Sequence, residues 1–243
     1  STSSSSHTTV TGRGAAALST VSAMLRARSV RPGASSTGAR RALATAKAFT
    51  GISTAVGPGT GRRVGRPRSV TPMMRRVAVI GAGSWGTTVA SLLAPVVPTV
   101  LWARRPEVAD DLAAGRGNAR YLPGFDLSSS LEATSDLGAA VIGADMVLVA
   151  VPTHGFRDTI VSVAPRIGAD TPVFSLAKGF ERGSGLRMTQ VLAQVLPGRP
   201  VGVLTGPNLA KEILAGQSAA TVVACTDPTV AVGLQSLLAS ERL

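Results

Sequence analysis

The chain has 243 residues, of which 44% are hydrophobic and 3% aromatic, with one cysteine and a formal net charge of +12. That length can bury a substantial core in one large or two small domains, and a single cysteine excludes an internal disulfide framework and suits a reducing compartment. No apolar run reaches the roughly 18 residues of a membrane span, since the longest candidate, 137–152, is interrupted by Asp145.

The charge is unevenly placed. Residues 1–76 carry 13 basic residues and no acid, whereas residues 77–243 carry the other 12 basic residues and all 13 acids, a net of −1. Any nucleic-acid-binding reading therefore rests on the leading segment alone. Residues 1–73 are rich in Ser, Thr, Gly, Ala, Pro and Arg without a sustained amphipathic period, so they are expected to be mostly disordered, with a transient basic helix over 15–28. Three explanations compete for this leader. It has the Arg- and Ser-rich, acid-free character of a transit peptide; it is a basic arm for non-specific nucleic-acid binding; or it is not part of the mature protein. The third is favoured, because Met73-Met74-Arg75-Arg76 immediately precedes the first strand, and because 22 Arg against 3 Lys suits a GC-rich coding sequence with open upstream frames.

From Val77 the pattern alternates strand and helix. Val77-Ala78-Val79-Ile80 reads as a short buried strand, and Gly81-Ala82-Gly83-Ser84-Trp85-Gly86 follows at once. A helical pattern begins at Thr87, with Val89, Ala90, Leu92 and Leu93 facing inward. Strand, G-x-G-x-x-G and helix in that order form the dinucleotide fingerprint. Gly81 allows the tight turn, Gly83 lets backbone approach a pyrophosphate, and Gly86 lets the helix pack closely on the strand. The helix N-terminus then offers N–H groups and its dipole to the phosphates.

Further strands are expected over 99–103, 131–134, 145–152, 172–176, 201–204 and 219–224. Helices are expected over 106–116, 137–142, 156–167 and 188–196, from the 205–208 turn to about 215, and from Pro228 to about 239 behind an Asp227 N-cap. The alternation gives an α/β fold, a doubly wound, mostly parallel sheet of Rossmann type covered on both faces, with residues 74–243 as one dinucleotide-binding domain.

At the end of the second strand an NAD site usually offers Asp or Glu to the ribose 2′-OH. Here Arg104 and Arg105 stand there, and no acid appears before Glu107. Guanidiniums suit a 2′-phosphate, so the cofactor is NADP or NAD, with NADPH favoured. Lys178 follows the strand around Phe174, at a carboxyl end where ligands bind in open α/β sheets; it suits a substrate phosphate or carbonyl. Lys211 beside Glu212 reads as solvated. His154 follows the strongest strand, but no carboxylate is placed to orient it and loop filler is the better reading. Cys225 reads as a small buried hydrophobe. There is no paired-carboxylate site, no metal-spaced His/Cys cluster and no Gly-x-Ser-x-Gly elbow.

GAGSWGTT (81–88), VLWARR (100–105), NARYLPG (118–124), VAVPTH (149–154), SLAKGFE (175–181) and GPNLAKEI (206–213) stand in the order and spacing of the bacterial-type NAD(P)-dependent sn-glycerol-3-phosphate dehydrogenases, which the chain resembles over about 76–243. The resemblance implies hydride transfer between nicotinamide and C2 of dihydroxyacetone phosphate, giving sn-glycerol 3-phosphate for phospholipid synthesis in the cytoplasm. It implies cofactor contacts at Ser84, Trp85, Arg104, Arg105, Tyr121, Lys178 and Ala210 beside the glycines, and substrate contacts at Lys178, Gly206 and Asn208. The Asn208 position more often holds Ser or Thr in the family. The family also has an all-helical domain, opened by a Lys-Asn pair whose lysine is the general acid/base, and that lysine is expected to lie beyond Leu243. No catalytic residue is therefore expected within these 243 residues, and the chain as given is expected to be weakly active. Partners implied are the small-molecule substrate, no membrane, and a homodimer for the full-length protein. The alternatives are a non-catalytic dinucleotide-binding fragment or a nucleic-acid binder acting through its basic tail.

Overall fold

The computed structural model describes residues 74–240 and 243. The expectations for residues 1–73, including the basic helix over 15–28, lie outside the described residues.

Elements appear where the hydrophobic pattern predicts them, with shifts at their ends. They are β1 (Val77–Ile80), α1 (Ser84–Leu93), β2 (Thr99–Trp102), α2 (Pro106–Ala113), β3 (Leu131–Thr134), α3 (Leu137–Val141), β4 (Met146–Val149), α4 (Phe156–Val163), β5 (Val173–Ser175), α5 (Met188–Val195), β6 (Val201–Thr205), α6 (Ala210–Leu214), β7 (Val222–Cys225) and α7 (Pro228–Leu238). α1 begins at Ser84 rather than Thr87, directly behind Gly83, so the last three residues of the glycine motif already belong to the helix. Leu92 falls at the edge of its buried stripe and is half-exposed, whereas Val89, Ala90 and Leu93 are fully buried. The helix expected over 156–167 is shorter. Thr153–Gly155 and Ala164–Arg166 are 3₁₀ turns flanking α4, because Pro165 lacks the N–H and clashes with the preceding turn.

The sheet order is β3-β2-β1-β4-β5-β6-β7, parallel except for β7, which runs antiparallel to β6 at the edge. The order reverses between β1 and β4, the topological switch point of a doubly wound sheet. Alternate residues of each strand feed opposite faces. Val77 and Val79 pack with Leu101, Met146, Leu148 and Phe174 beneath α1 and α7; Ala78 and Ile80 pack with Val147, Val149 and Val173 beneath α3, α4 and α5. At the amino ends of the strands the Asp145 carboxylate accepts from the Arg75 and Arg76 N–H groups at 2.7 and 3.1 Å, tying the start of β1 to β4. Asp227 caps α7 as its sequence promised, accepting from the Thr229 N–H at 2.8 Å. Behind α7, the Leu243 carbonyl accepts from the Ser240 N–H at 3.0 Å, and the Leu243 side chain packs half-buried against the α1 face of the core.

The glycines of the first turn differ in what they permit. Gly81 has φ +115°, and a Cβ there would lie 3.0 Å from the Ala150 carbonyl group. A Cβ at Gly86 would overlap the Gly81 carbonyl oxygen and fall 2.8 Å from the Ala150 Cβ, while one at Gly83 would meet nothing within 4 Å. Gly86→Ala is therefore expected to push α1 off the sheet and to cost about 3 kcal/mol, the upper range of overpacking, whereas Gly83→Ala should cost less than about 1 kcal/mol, the ordinary range for an unstrained surface change. Urea unfolding of both variants measures the contrast; equal losses would contradict the packing account.

Candidate functional site

The carboxyl ends of β1, β2 and β4 open onto a cavity of about 410 Å³ at the switch point. Its walls are Gly81, Ala82 and Gly83 from the first turn, Trp102 to Arg105 from the second, Ala150 to Pro152 from the end of β4, and Tyr121, His154 and Thr159. Among the described residues no carboxylate lines it, and Arg104 and Arg105 both do. Glu107 stands beside the pair, its Oε1 3.9 Å from the Arg105 guanidinium, both side chains being well exposed. α1 starts on this cavity with Gly83 as N-cap, no side-chain cap and no acid in its first turn. The first intrahelical bond runs from the Thr87 N–H to the Gly83 carbonyl at 2.9 Å. The N–H groups of Ser84, Trp85 and Gly86 are thus without an intrahelical acceptor, as at any helix start, and the dipole adds partial positive charge.

The turn that carries the arginines is held by backbone. Gly81 N–H donates to the Trp102 carbonyl at 3.0 Å, Ala103 N–H to the Thr134 carbonyl at 2.9 Å, and the Trp102 indole N–H to the Ser135 carbonyl at 3.0 Å. Arg104 is exposed and Arg105 half-exposed. Tyr121 is 42% exposed at the cavity wall, with the Arg120 guanidinium 5.6 Å from its ring centre.

A second, smaller cavity of about 280 Å³ lies at the carboxyl ends of β5 and β6, between Ser175, Lys178, Phe180, Arg187 and Thr205. Lys178 is exposed and its ammonium donates to the Gly206 carbonyl at 2.7 Å, leaving two of its three N–H donors for a ligand. A Cβ on Gly206 would lie 2.5 Å from the Ala220 carbonyl oxygen and 2.8 Å from Asn208 Oδ1, so only glycine fits there. Asn208 donates to the Thr221 hydroxyl at 2.8 Å, and its Oδ1 is a buried acceptor without a partner among the described residues.

Of the residues singled out in the sequence, Gly81, Gly83, Arg104, Arg105 and Tyr121 line the first cavity, and Lys178 lines the second with Gly206 bonded to it. His154 lines the first cavity, on the 3₁₀ turn behind β4. Ser84, Trp85, Asn208 and Ala210 line neither; Trp85 packs partly buried against the core beneath α1. Gly86 acts through packing. Leu243 lines neither cavity and belongs to the hydrophobic packing instead. Among the described residues no cluster of three or more His, Cys, Asp or Glu is placed to hold a metal, and no helix is long and apolar enough to cross a membrane.

Two contributors stand within the quoted motifs, Asn118 heading NARYLPG and Glu181 closing SLAKGFE, with no role that the sequence assigns them. Asn118, 2% exposed, donates through Nδ2 to the Ala82 carbonyl at 3.0 Å and to the Thr87 hydroxyl at 2.9 Å. Apart from its place in that motif, its local signal is a polar residue opening a glycine- and proline-containing loop. The other is the Arg157–Glu181 pair, which pins the loop behind Lys178 to α4. Arg157 Nε and Nη2 donate to the two Glu181 oxygens at 2.7 and 2.9 Å, Nη2 also to Gln194 at 2.8 Å, and the Ser184 hydroxyl to Glu181 at 2.5 Å. These bonds, Arg157's first and Ser184's second, hold the Glu181 carboxyl down at about 2 against its ordinary 4.5. A depressed carboxyl stabilises the fold above its unfolded value and loses that contribution as pH falls toward the folded one.

Comparison with known proteins places these residues in a family. Residues 76–231 match the model of the NAD-dependent glycerol-3-phosphate dehydrogenase N-terminus. A glycerol-3-phosphate dehydrogenase [NAD(P)+] of Sphingopyxis alaskensis is 48% identical over 168 residues, covering 69% of this chain and 50% of the relative. One from Mycobacterium avium is 46% identical over 169 residues, covering 69% and 49%. The crystal structure of glycerol-3-phosphate dehydrogenase from Coxiella burnetii superposes with a TM-score of 0.66 at 32% identity, covering 70% of this chain and 53% of that one. The chain thus spans about half the length of the curated relatives it matches.

Glu181→Gln should lower the melting temperature near neutral pH, and its deficit relative to wild type should shrink as pH falls from about 4.5 toward about 2. Thermal melts of both proteins across that window check this; a deficit independent of pH would show that the carboxylate charge is not what holds the loop.

Proposed function

The chain belongs to the NAD-dependent glycerol-3-phosphate dehydrogenase family, and on that premise we propose that it binds NADPH or NADH across the switch point for the interconversion of dihydroxyacetone phosphate and sn-glycerol 3-phosphate. The observation that carries the proposal is the cavity at the ends of β1, β2 and β4, walled by the glycine turn and two arginines and, among the described residues, by no carboxylate. The residues fit a dinucleotide. Space stands open at Gly83, where a Cβ would meet nothing within 4 Å, and the uncapped start of α1 suits a pyrophosphate. Ser84, Trp85 and Gly86 offer their N–H groups to it, Arg104 and Arg105 take an adenosine 2′-phosphate by charge-assisted hydrogen bonds, and Tyr121 flanks the adenosine side.

The nicotinamide end then runs toward β5 and β6. When bound, nicotinamide supplies or accepts the hydride. Lys178, with Ala210 nearby in sequence to the 206–208 turn, serves the cofactor, and Lys178, Gly206 and Asn208 hold the substrate. The two free ammonium donors of Lys178 suit a substrate oxygen. Positive charge beside C2 favours the developing alkoxide. The proton donor is assigned, on the family resemblance, to the lysine of the helical domain, so Lys178 is a charge-bearing contact and not the general acid. Hydride transfer to dihydroxyacetone phosphate would serve phospholipid synthesis. The reading carries a cytoplasmic location, which the single cysteine suits, a homodimer for the full-length enzyme, and no role for nucleic acid, since the domain itself is close to neutral.

Wild type should bind NADPH more tightly than NADH, and Arg104→Ala/Arg105→Ala should weaken NADPH by about 10- to 100-fold, the range for losing one or two hydrogen bonds to a charged group, while leaving NADH within about threefold. Fluorescence titration of both cofactors measures it. Equal affinities in the wild type would sink the 2′-phosphate assignment.

A further inference from the structure

We propose that Asn118 is a positioning residue of the dinucleotide site, one that turns the peptide between Ala82 and Gly83 toward the phosphates and fixes Tyr121 at the cavity wall. The inference rests on the dinucleotide reading of that cavity and deepens it.

Asn118 opens the loop between α2 and β3 and does not line the cavity, yet it is bonded to the glycine turn, to α1 and to the Tyr121 backbone. Nδ2 donates to the carbonyl of Ala82 in the middle of the glycine turn at 3.0 Å and to the Thr87 hydroxyl in the first turn of α1 at 2.9 Å. Oδ1 accepts from the Tyr121 N–H at 3.3 Å. The orientation of the amide is fixed by these partners. The Ala82 carbonyl only accepts and the Tyr121 N–H only donates, so a flipped amide would set oxygen against oxygen and nitrogen against nitrogen. The main chain shares the grip, since the Asn118 carbonyl accepts from the same Tyr121 N–H at 3.2 Å and from the Leu122 N–H at 2.7 Å, and the Leu122 side chain is 1% exposed.

The consequence lies in the peptide plane. In a planar trans peptide the carbonyl of one residue and the N–H of the next point in opposite directions. Holding the Ala82 oxygen on Asn118 turns the Gly83 N–H away from Asn118, and Gly83 lines the cavity while Asn118 does not. Gly81 and Gly83 give this stretch wide conformational freedom. Without a fixed acceptor for Nδ2, the 82–83 peptide could present its carbonyl, rather than its N–H, to an anion. One buried side chain thus sets the sign of the dipole that the turn offers. The same side chain couples that turn to the Tyr121 loop across 36 residues of chain.

The test uses the 243-residue chain, titrated with NADPH and with NADH by tryptophan fluorescence, with thermal melts of every variant. Asn118→Asp keeps the acceptor for the Tyr121 N–H but sets an oxygen against the Ala82 carbonyl; Asn118→Ala removes the three side-chain bonds and leaves the Tyr121 and Leu122 N–H groups on the Asn118 carbonyl. Asn118→Ala should weaken the two cofactors by the same factor, about tenfold, as for the loss of one hydrogen bond of about 1.4 kcal/mol, and Asn118→Asp, which adds a carboxylate, should weaken both by at least as much, at temperatures where the variants are fully folded. Tyr121→Ala should cost less affinity in the Asn118→Ala background than in wild type, because the side-chain bond to the Tyr121 N–H is already gone and only main-chain bonds hold that loop. Folded Asn118 variants with wild-type affinity, effects that add with Tyr121→Ala, or weakening confined to NADPH would overturn the proposal. So would failure of both variants to fold, which would make Asn118 a stability element only. Wild type binding neither cofactor would instead remove the dinucleotide reading on which the proposal stands.

Discussion

The close approach of α1 to the β1–β4 pair governs the rest of this domain. A Cβ at position 86 would overlap the Gly81 carbonyl oxygen, so the helix sits as near the strands as a bare backbone allows. That proximity brings the first turn of α1 directly over the point where strand order reverses, with Ala150, just behind β4, against Gly81 and Gly86 on the other side. A helix displaced by one methyl group would carry its free N–H groups away from the gap between β1 and β4. The cavity, the arginine turn at the end of β2 and the Asn118 loop are all arranged around that placement.

Charge is distributed to match. The domain is nearly neutral, yet the cavity wall holds two arginines, a histidine and a helix N-terminus without an acid. Two carboxylates that could oppose an anion are engaged elsewhere: Asp145 at the opposite end of the sheet on the Arg75 and Arg76 backbone, Glu181 on Arg157. The pairing of Glu181 has a second effect, because the loop it pins begins at Lys178, which lines the second cavity with Arg187. Two separate devices thus stand at the carboxyl ends of the strands, the glycine turn with Asn118 at the first cavity and the Arg157–Glu181 clamp beside the second.

Much of this was legible in the chain. β1, the glycine turn and α1 follow from a buried run, fixed glycine spacing and a helical period, and β3 appears at its expected bounds because it is bracketed by turn residues. Lys178 and Gly206 stood out singly as residues behind strands; their contact follows from β5 and β6 being neighbours, a consequence of topology that neither local pattern contains. The direction of β7 was equally hidden, since alternation marks a strand but not which way it runs. Pro165 marked the break after α4, yet the apolar period across 156–167 masked it. Asn118 heads a quoted motif, yet its role was hidden for a different reason: its partners lie 31 and 36 residues away, and nothing in the composition of its loop distinguishes a buried amide from a solvated one.

The central claim is that a dinucleotide lies with its phosphates on the start of α1 and its adenosine end on the turn behind β2. Mapping the backbone amide resonances of the isotopically labelled chain during titration with NADPH tests it most directly. The account predicts that the largest displacements fall on Gly83, Ser84, Trp85, Gly86, Arg104 and Arg105, with Ser128, Ser129 and Ser130 on the far side of α1 unmoved. Saturable displacements that spare the glycine turn and gather elsewhere in the domain would contradict it.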